Sequence, residues 1–206
     1  MKKILLAALL IVGGASTSSA DPLMKYTYGD LAYQWTHIDS SFNDSNGLDA
    51  KLSYAVIDNF ALEGGYNYAN SGLDSSNTNQ SLFRYGGAAW YEFCNGVNLV
   101  GRVGGSHANI DDSRTGSEAY RATGLGSSDN GVYTGLGLRY LLTDTLEGNL
   151  DALYDSVNGI YNQRGGTWTY SGALLQTVAD NVAVKGGVSI DADTNLALTI
   201  GLRLAM

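Results

Sequence analysis

The chain contains 206 residues and carries a formal net charge of −8, with 27 glycines, 14 tyrosines, one proline and one cysteine. This acidic balance argues against a nucleic-acid partner, because binding to phosphates requires an excess of basic residues. The single cysteine excludes an internal disulfide, and the length is that of one domain.

The N-terminal segment has the three parts of a secretory signal peptide. Lys2 and Lys3 form a short basic region, residues 4–12 form an apolar run, and small residues lead up to Ala20. The apolar run is much shorter than the roughly 20 residues that a spanning helix needs. We therefore expect residues 1–20 to be cleaved as a signal peptide, which leaves residues 21–206 as a single exported domain.

Ten segments of the remaining chain alternate between apolar and polar residues, with the period of two that is typical of a β-strand. Pro22 precedes all of them, as expected because proline is excluded from central strands. An eight-stranded arrangement is the alternative if one weak hairpin is misassigned. The predicted strands cover residues 26–38, 47–57, 59–69, 80–93, 97–109, 131–142, 146–156, 166–178, 182–190 and 195–206.

Short and long connections alternate between these strands. Short turns are predicted at residues 57–59, 94–96, 143–145 and 179–181, where Asn, Asp and Gly tolerate positive φ or bond their own backbone. Longer polar stretches cover residues 39–46, 70–79, 110–130, 157–165 and 191–194. This alternation predicts an all-β, up-and-down antiparallel transmembrane barrel, with short periplasmic turns and long external loops.

The last strand shows the two faces of such a barrel most clearly. Apolar residues occupy every second position from Leu196 to Met206, and small residues with Arg203 lie between them. The segment has about the 9–11 residues that a tilted strand needs to cross hydrocarbon. In the first strand, the same phase predicts Leu31, Tyr33 and Trp35 outward.

A soluble barrel would show the same alternation with its faces reversed. Aromatic residues lie towards the strand ends, as Phe60 and Trp168 do, which is typical of interfacial girdles. The charged face is also rich in small residues, which suits a crowded interior. Both features favour the membrane barrel.

With these features the chain resembles the small outer-membrane β-barrel proteins of the OmpA-transmembrane-domain, OmpX and opacity type. The resemblance covers the whole mature chain and depends on the strand pattern. It implies a place in the bacterial outer membrane and contact of the last strand with the barrel-assembly machinery. These proteins usually end in an aromatic residue, whereas this chain ends in Met206. No peptidoglycan-binding domain follows, so the tethering role of larger relatives is not expected.

The opposite, inward face carries seven acidic and six basic residues. An unpaired ion away from bulk water is costly, and a barrel of eight to ten strands is about wide enough to be filled by side chains. We therefore predict a paired charge network that plugs the lumen, with a small or gated porin as the alternative. The predicted network consists of Asp30, Asp49, Lys51, Glu63, Arg84, Glu92, Arg102, Arg139, Glu147, Asp151, Asp155, Lys185 and Arg203.

A surface hydrolase at the barrel rim is a remote alternative. His37 and His107 are the only histidines, and Asp39, Asp111 and Asp112 are close to them in sequence. The acidic pairs and Asp–His pair of the omptins are not recognisable, however, and Ser106 lacks a nucleophile-elbow motif. We expect no catalytic residue.

Metal and cofactor sites are not expected either. Residues 191–195 place three oxygen-bearing side chains at alternate positions, but they lack the Gly and the distal Glu of a calcium loop. A hairpin loop is the simpler interpretation.

We predict that the protein has a structural or surface-interaction role of the adhesion type, with the external loops as its interaction surface. They are mainly acidic, so they repel the phosphates of lipopolysaccharide unless divalent cations bridge the two. The longest loop, residues 110–130, is polar and contains charges of both signs. Loops on a rigid scaffold are where binding functions usually lie. We expect a monomer whose partners are outer-membrane lipid and lipopolysaccharide.

Overall fold

A computed structural model describes residues 25–37, 44–73, 76–94, 96–112, 128–157, 166–192 and 194–206. The predicted signal peptide, residues 1–20, lies outside this part. The described chain contains ten strands. They are β1 (Tyr28–His37), β2 (Ser45–Ile57), β3 (Phe60–Leu73), β4 (Ser76–Cys94), β5 (Val97–Asp112), β6 (Ser128–Thr143), β7 (Leu146–Asp155), β8 (Thr167–Ala179), β9 (Val182–Asp191) and β10 (Leu196–Ala205).

The strands form one closed antiparallel barrel in which each strand pairs with its neighbours in sequence. The barrel closes where β1 pairs with β10, from Tyr28 opposite Ala205 to His37 opposite Leu196. The predicted ten-stranded up-and-down topology is therefore confirmed, and the eight-stranded alternative is wrong. Among the described residues, none forms a helix that is long and apolar enough to cross a membrane.

Four tight turns define one end of the barrel, which we call the short-turn end. They connect β2 to β3, β4 to β5, β6 to β7 and β8 to β9, at the predicted positions. Each is preceded by a register shift in the incoming strand. Asn59 has φ 67° and Gly96 has φ 81°, values that Asn and Gly adopt more readily than other residues. Two residues separate the strands in each of the four hairpins, and an irregularity of this kind increases the local twist.

The opposite end, the long-loop end, differs from the prediction. β3 and β4 pair up to Leu73 and Ser76, so most of the predicted loop 70–79 is strand. β5 likewise continues to Asp112 and β6 begins at Ser128. Polar side chains indicate contact with water, but they do not prevent backbone pairing, and this explains the error. The remaining loop segments 38–43, 113–127 and 158–165 lie outside the described residues.

Strand alternation separates an apolar outer surface from a mixed interior. In β1, the outward-facing Leu31 and Tyr33 are 58% and 50% exposed, whereas the inward-facing Asp30 is 4% exposed. Large apolar side chains remain exposed around the outside of the other strands. The buried apolar side chains form small clusters inside the barrel and between strands rather than one large core.

Candidate functional site in the barrel lumen

The deepest charged group in the lumen is the floor network, formed by Asp30, Arg139, Glu147, Lys185 and Arg203. Arg203 lies opposite Asp30 in the β1–β10 register and donates to both carboxylate oxygens, at 2.7 and 2.9 Å. Lys185 Nζ lies 3.3 Å from Asp30 Oδ2. Glu147 accepts from Arg139 at 2.9 and 3.0 Å and from Arg203 at 3.3 Å. The network thus links strands on opposite sides of the barrel.

A second group, the wall network, consists of Lys51, Glu63, Arg102 and Asp151. Glu63 Oε1 lies 3.0 Å from Lys51 Nζ, and Glu63 Oε2 accepts from Arg102 Nε at 3.2 Å. Arg102 also pairs with Asp151. Its two acidic partners lie on β3 and β7, each two strands away from β5. Gly137, on the strand between β5 and β7, leaves the space for the Arg102–Asp151 pair, since a Cβ there would overlap the carboxylate.

A third ion pair lies nearer to the long-loop end. Arg84 Nε donates to Asp155 Oδ2 at 2.8 Å, and Ser106 Oγ donates to Asp155 Oδ1 at 2.7 Å. Asp155 is buried and also accepts from the backbone N–H of Val157 at 3.1 Å. Its charge is therefore compensated by one guanidinium and two hydrogen bonds.

Two of the thirteen predicted network residues lie apart from these groups. Asp49 is half-buried and lines the lumen, but it makes no ion pair with any described residue. Glu92 is exposed at the short-turn end of β4, where the register shifts and Asn98 lies opposite. Glu92 makes no ion pair with any described residue, and Arg102 binds Glu63 and Asp151.

Aromatic side chains that the sequence analysis missed complete the floor. The ring of Tyr28 lies under the Arg203 guanidinium, 3.9 Å from ring centroid to Cζ, and within 6 Å of Arg139 and Lys51. This placement adds cation–π attraction to the ion pairs. Tyr28 has the inward phase of Asp30, so alternation could have identified it, although its role among three cations depends on the closed barrel.

Below the floor network, the Tyr26–Trp90 stack occupies the short-turn end. The ring centroids lie 3.6 Å apart with an interplanar angle of 5°, and Arg139 Cζ lies 4.3 Å from the Tyr26 ring. Ser53 Oγ donates to the Tyr26 carbonyl at 2.7 Å, which anchors this residue although it precedes β1. Ala61, Ala88 and Val100 pack beside the stack and are fully buried. Burial raises the pKa of the Tyr26 phenol.

The rest of the lumen contains a cavity of about 330 Å³, lined by residues of all ten strands. Tyr28, Arg139 and Arg203 lie at its deep end, and it extends along the strands to the long-loop end. The lumen therefore has a filled short-turn half and a polar long-loop half. The uncharged polar lining comprises Gln34, Thr36, Asn67, Asn149, Thr167, Thr169, Ser171, Ser189, Asn195 and Thr199.

The residues considered for rim catalysis do not form a triad. Ser106 and His107 are adjacent in β5 and point to opposite faces, since Ser106 is buried on Asp155 and His107 is exposed. His107 Nδ1 lies 2.8 Å from Asn130 Oδ1. His37 Nδ1 lies 2.8 Å from Asp44 Oδ1 in an exposed pair. Asp39, the acid considered beside His37, lies outside the described residues.

Residues 191–195 connect β9 to β10. Asp191 Oδ1 accepts from the backbone N–H of Asn195 at 3.0 Å, and Asp191 Oδ2 accepts from the Asn195 amide at 2.8 Å. Thr194 has φ 67°. The predicted hairpin loop is thus confirmed for its described residues. In the described part of the chain, no cluster of three His, Cys, Asp or Glu side chains could hold a metal ion.

Comparisons with known proteins agree with this architecture. Residues 5–173 match a family model described as "Outer membrane protein beta-barrel domain". No curated protein matches the sequence.

Three solved structures illustrate the likeness in fold. The NanC porin has 11% identity and a TM-score of 0.51, with 85% of this chain and 100% of that chain covered. Neisserial surface protein A has 11% identity and a TM-score of 0.45, covering 87% and 96%. Ail of Yersinia pestis, in complex with a heparin analogue, has 13% identity and a TM-score of 0.43, covering 86% and 95%. At these identities the likeness concerns the fold alone.

Proposed function

The chain belongs to the outer-membrane protein β-barrel family, and from this premise we propose that it is a plugged barrel with a structural and surface-interaction role. In this proposal the short-turn end faces the periplasm and the long-loop end faces the exterior, as in other barrels of this class. The barrel holds the external loops in fixed positions. It does not serve as a constitutive pore.

The filled short-turn half of the lumen carries the proposal of a plug. The Tyr26–Trp90 stack and the floor network lie one above the other across the barrel, and Glu147 has no exposed surface. Each buried charge of the floor network has an opposite charge within 3.3 Å. Removing one member of a buried pair costs about 3–5 kcal/mol, so opening this path for solutes would require a large rearrangement.

Conductance in planar lipid bilayers tests the plug. The purified protein is expected to fold in detergent with a β-type circular dichroism spectrum and heat-modifiable gel mobility, and then to leave the bilayer silent. Insertion is verified independently by protease protection of the reconstituted protein in vesicles. Regular conductance steps from the unmodified protein would contradict the plug and favour a porin.

The surface-interaction role is supported by the position of the loop segments. Segment 113–127 lies outside the described residues and connects β5 to β6, two of the longest strands. Deleting residues 113–127 should leave folding intact, because no described strand is removed. Whole cells producing the deletion variant are expected to adhere less to host or neighbouring-cell surfaces than cells producing the full chain. Equal binding to every surface tested would contradict the adhesion role.

A gated channel is the second candidate function, and the 330 Å³ cavity favours it. The cavity extends from the long-loop end down to Tyr28 and Arg203, so the Tyr26–Trp90 stack and the floor network would be the gate. A channel of this kind would conduct only after the stack moves. Conductance that appears only under an applied voltage or a membrane-side ligand would select this alternative over a permanent plug.

The proposed partners follow from the outer surface. Pairing of β1 with β10 closes the sheet and leaves no free edge, which supports a monomer. The exposed apolar side chains of β10, including Leu202 and Leu204, are suited to lipid and to recognition by the assembly machinery. Acidic external loops favour cation-bridged contact with lipopolysaccharide. We propose no enzymatic role, since Ser106 hydrogen-bonds Asp155 and faces away from His107.

A further inference from the structure

One carboxylate in the cavity is not paired with a cation. Asp49 on β2 lines the cavity, is half-buried and makes no ion pair with any residue that the structure describes. Lys51 follows on the same face of β2, two residues or about 7 Å further along the strand. Its ammonium group lies 3.0 Å from Glu63 Oε1, however, so it does not neutralise Asp49. Two opposite charges therefore face the cavity close together without pairing.

Asn67 places a second acceptor beside Asp49. The two residues are register partners on β3 and β2, and opposite residues of neighbouring strands have Cβ atoms about 5 Å apart. Asn67 Nδ2 donates to Gln34 Oε1 at 2.8 Å, and Gln34 Nε2 donates to Thr36 Oγ1 at 2.9 Å. These bonds fix the orientation of the Asn67 amide, and its oxygen accepts from no described residue. Asp49 and Asn67 thus form an acceptor row, which suits an ammonium group.

The next row of inward positions, one step deeper in the lumen, is cationic. Lys51 pairs in register with Gly65, and Gly65 pairs with Arg84, so a glycine lies between two cations. Both cations line the cavity, and their side chains are 26% and 30% exposed. Arg84 binds Asp155 through Nε, and its two terminal nitrogens have no partner within the described part of the chain.

Gly65 leaves room for a ligand between these cations. A Cβ at this position would meet only the carbonyl oxygen of Ala50, at 3.8 Å. The open guanidinium edge of Arg84 matches the geometry of a carboxylate, and the partly exposed ammonium of Lys51 adds a second positive charge. Lys51 and Arg84 thus form a cation row, which suits a carboxylate group.

We propose that the lumen binds a free α-amino acid with a small, uncharged side chain. Its ammonium group binds the acceptor row, and its carboxylate binds the cation row across Gly65. Covalent geometry holds these two groups about 3 Å apart, so with a hydrogen bond of about 2.8 Å at each end the molecule bridges rows that are about 7 Å apart.

The charges of the two rows select a zwitterion. A simple cation at the acceptor row would be repelled by Lys51, and a simple anion at the cation row would be repelled by Asp49, whereas a zwitterion compensates both. The cavity of about 330 Å³ is at the small end of ligand pockets, which measure roughly 300–1,000 Å³, and this favours a small side chain. The site does not depend on the proposed plug, since none of its side chains belongs to the floor network.

Saturation-transfer NMR with L-serine tests this site on the protein folded in a non-ionic detergent at neutral pH. Ethanolamine is serine without the carboxylate, and 3-hydroxypropionate is serine without the ammonium group. Serine is expected to bind saturably and at least tenfold more tightly than either. Absence of saturable serine binding, or equal binding of one of the two singly charged compounds, would overturn the proposal.

Two substitutions locate the site. Asp49→Asn keeps the side-chain shape, breaks no ion pair with a described residue, and is expected to reduce serine affinity at least tenfold, to the level of 3-hydroxypropionate. Gly65→Ala places a methyl group between the two cations and is expected to weaken serine binding at least fivefold. The matched control is Gly64→Ala, on the outward face of the same strand, where a Cβ meets no atom within 4 Å; it should change the affinity less than twofold.

Heat-modifiable gel mobility verifies that each variant is folded. Unchanged serine affinity in folded Asp49→Asn would contradict the proposal. Equal losses in Gly64→Ala and Gly65→Ala would do so as well, because they would show that serine does not bind between the cations.

Discussion

The same strands line both halves of the lumen, but the two halves differ in how their polar side chains are paired. In the short-turn half, Tyr26 stacks on Trp90 and Glu147 bridges two arginines, so that nearly every group is in contact with another protein group. In the long-loop half, polar side chains such as Thr169 and Ser189 surround a cavity. The difference indicates that side-chain pairing is concentrated in the short-turn half and that open volume is concentrated in the long-loop half.

The strongest way to break this comparison is to empty the short-turn half. The double variant Tyr26→Ala/Trp90→Ala is expected to produce conductance steps in planar bilayers where the unmodified protein is silent. Removing a buried large aromatic side chain also costs about 3–5 kcal/mol, so a lower urea midpoint in detergent should accompany the opening. The matched control is Thr169→Ala/Ser171→Ala in the long-loop half, which should stay silent. Conductance in the control variant alone would show that the constriction lies in the long-loop half and would contradict the proposed plug.

The floor network predicts the next largest effect. Glu147→Ala removes the carboxylate that binds Arg139 and leaves Arg203 with Asp30 alone, and it should cost about 3–5 kcal/mol of unfolding free energy. Urea unfolding of the vesicle-reconstituted protein, followed by tryptophan fluorescence, measures the loss. Asp49→Asn is the control, because Asp49 makes no ion pair with the described residues and should change stability by less than about 1 kcal/mol. Similar midpoints for both variants would indicate a hydrated lumen and favour the channel.

Glycine positions predict a smaller effect that sharpens the contrast between interior and exterior. Gly137→Ala places a methyl group against Asp151 and within about 3.0 Å of Arg102, which should separate their ion pair and cost about 1–3 kcal/mol. Gly186→Ala meets no atom within 4 Å and should leave the urea midpoint unchanged. Equal midpoints for Gly137→Ala and the unmodified protein would show that the Arg102–Asp151 pair contributes nothing to stability.

Alternation made the strand framework predictable to within a few residues at the short-turn end. At the other end it failed at residues 70–79, because polar composition was interpreted as loop although β3 and β4 continue to pair there. Both ends obey the same backbone chemistry. Only the surroundings of the side chains differ. Side-chain polarity indicates contact with water, but it does not indicate where backbone hydrogen bonding between strands ends.

The inward direction of the charged residues was also a property of the sequence, since a period of two assigns each residue to a face. The ion-pair partners of these residues, however, could not be predicted from the sequence. Arg102 pairs with Glu63 and Asp151, two strands away on either side, and Arg203 reaches Glu147 on β7. These distances depend on the barrel's closure, diameter and strand tilt, which bring non-neighbouring strands within reach.

The sequence by itself determined the ten strands, the tight turns and the separation of an apolar outside from a charged inside, because each depends on local periodicity and turn chemistry. Only the tertiary structure decided that Tyr26 and Trp90 meet in a stack, that Glu92 remains exposed, and that residues of all ten strands line one cavity. Those outcomes depend on contacts between residues far apart in the chain. A local sequence pattern does not determine which distant residues come close in space. Closure of the barrel by pairing of β1 with β10 brings them together.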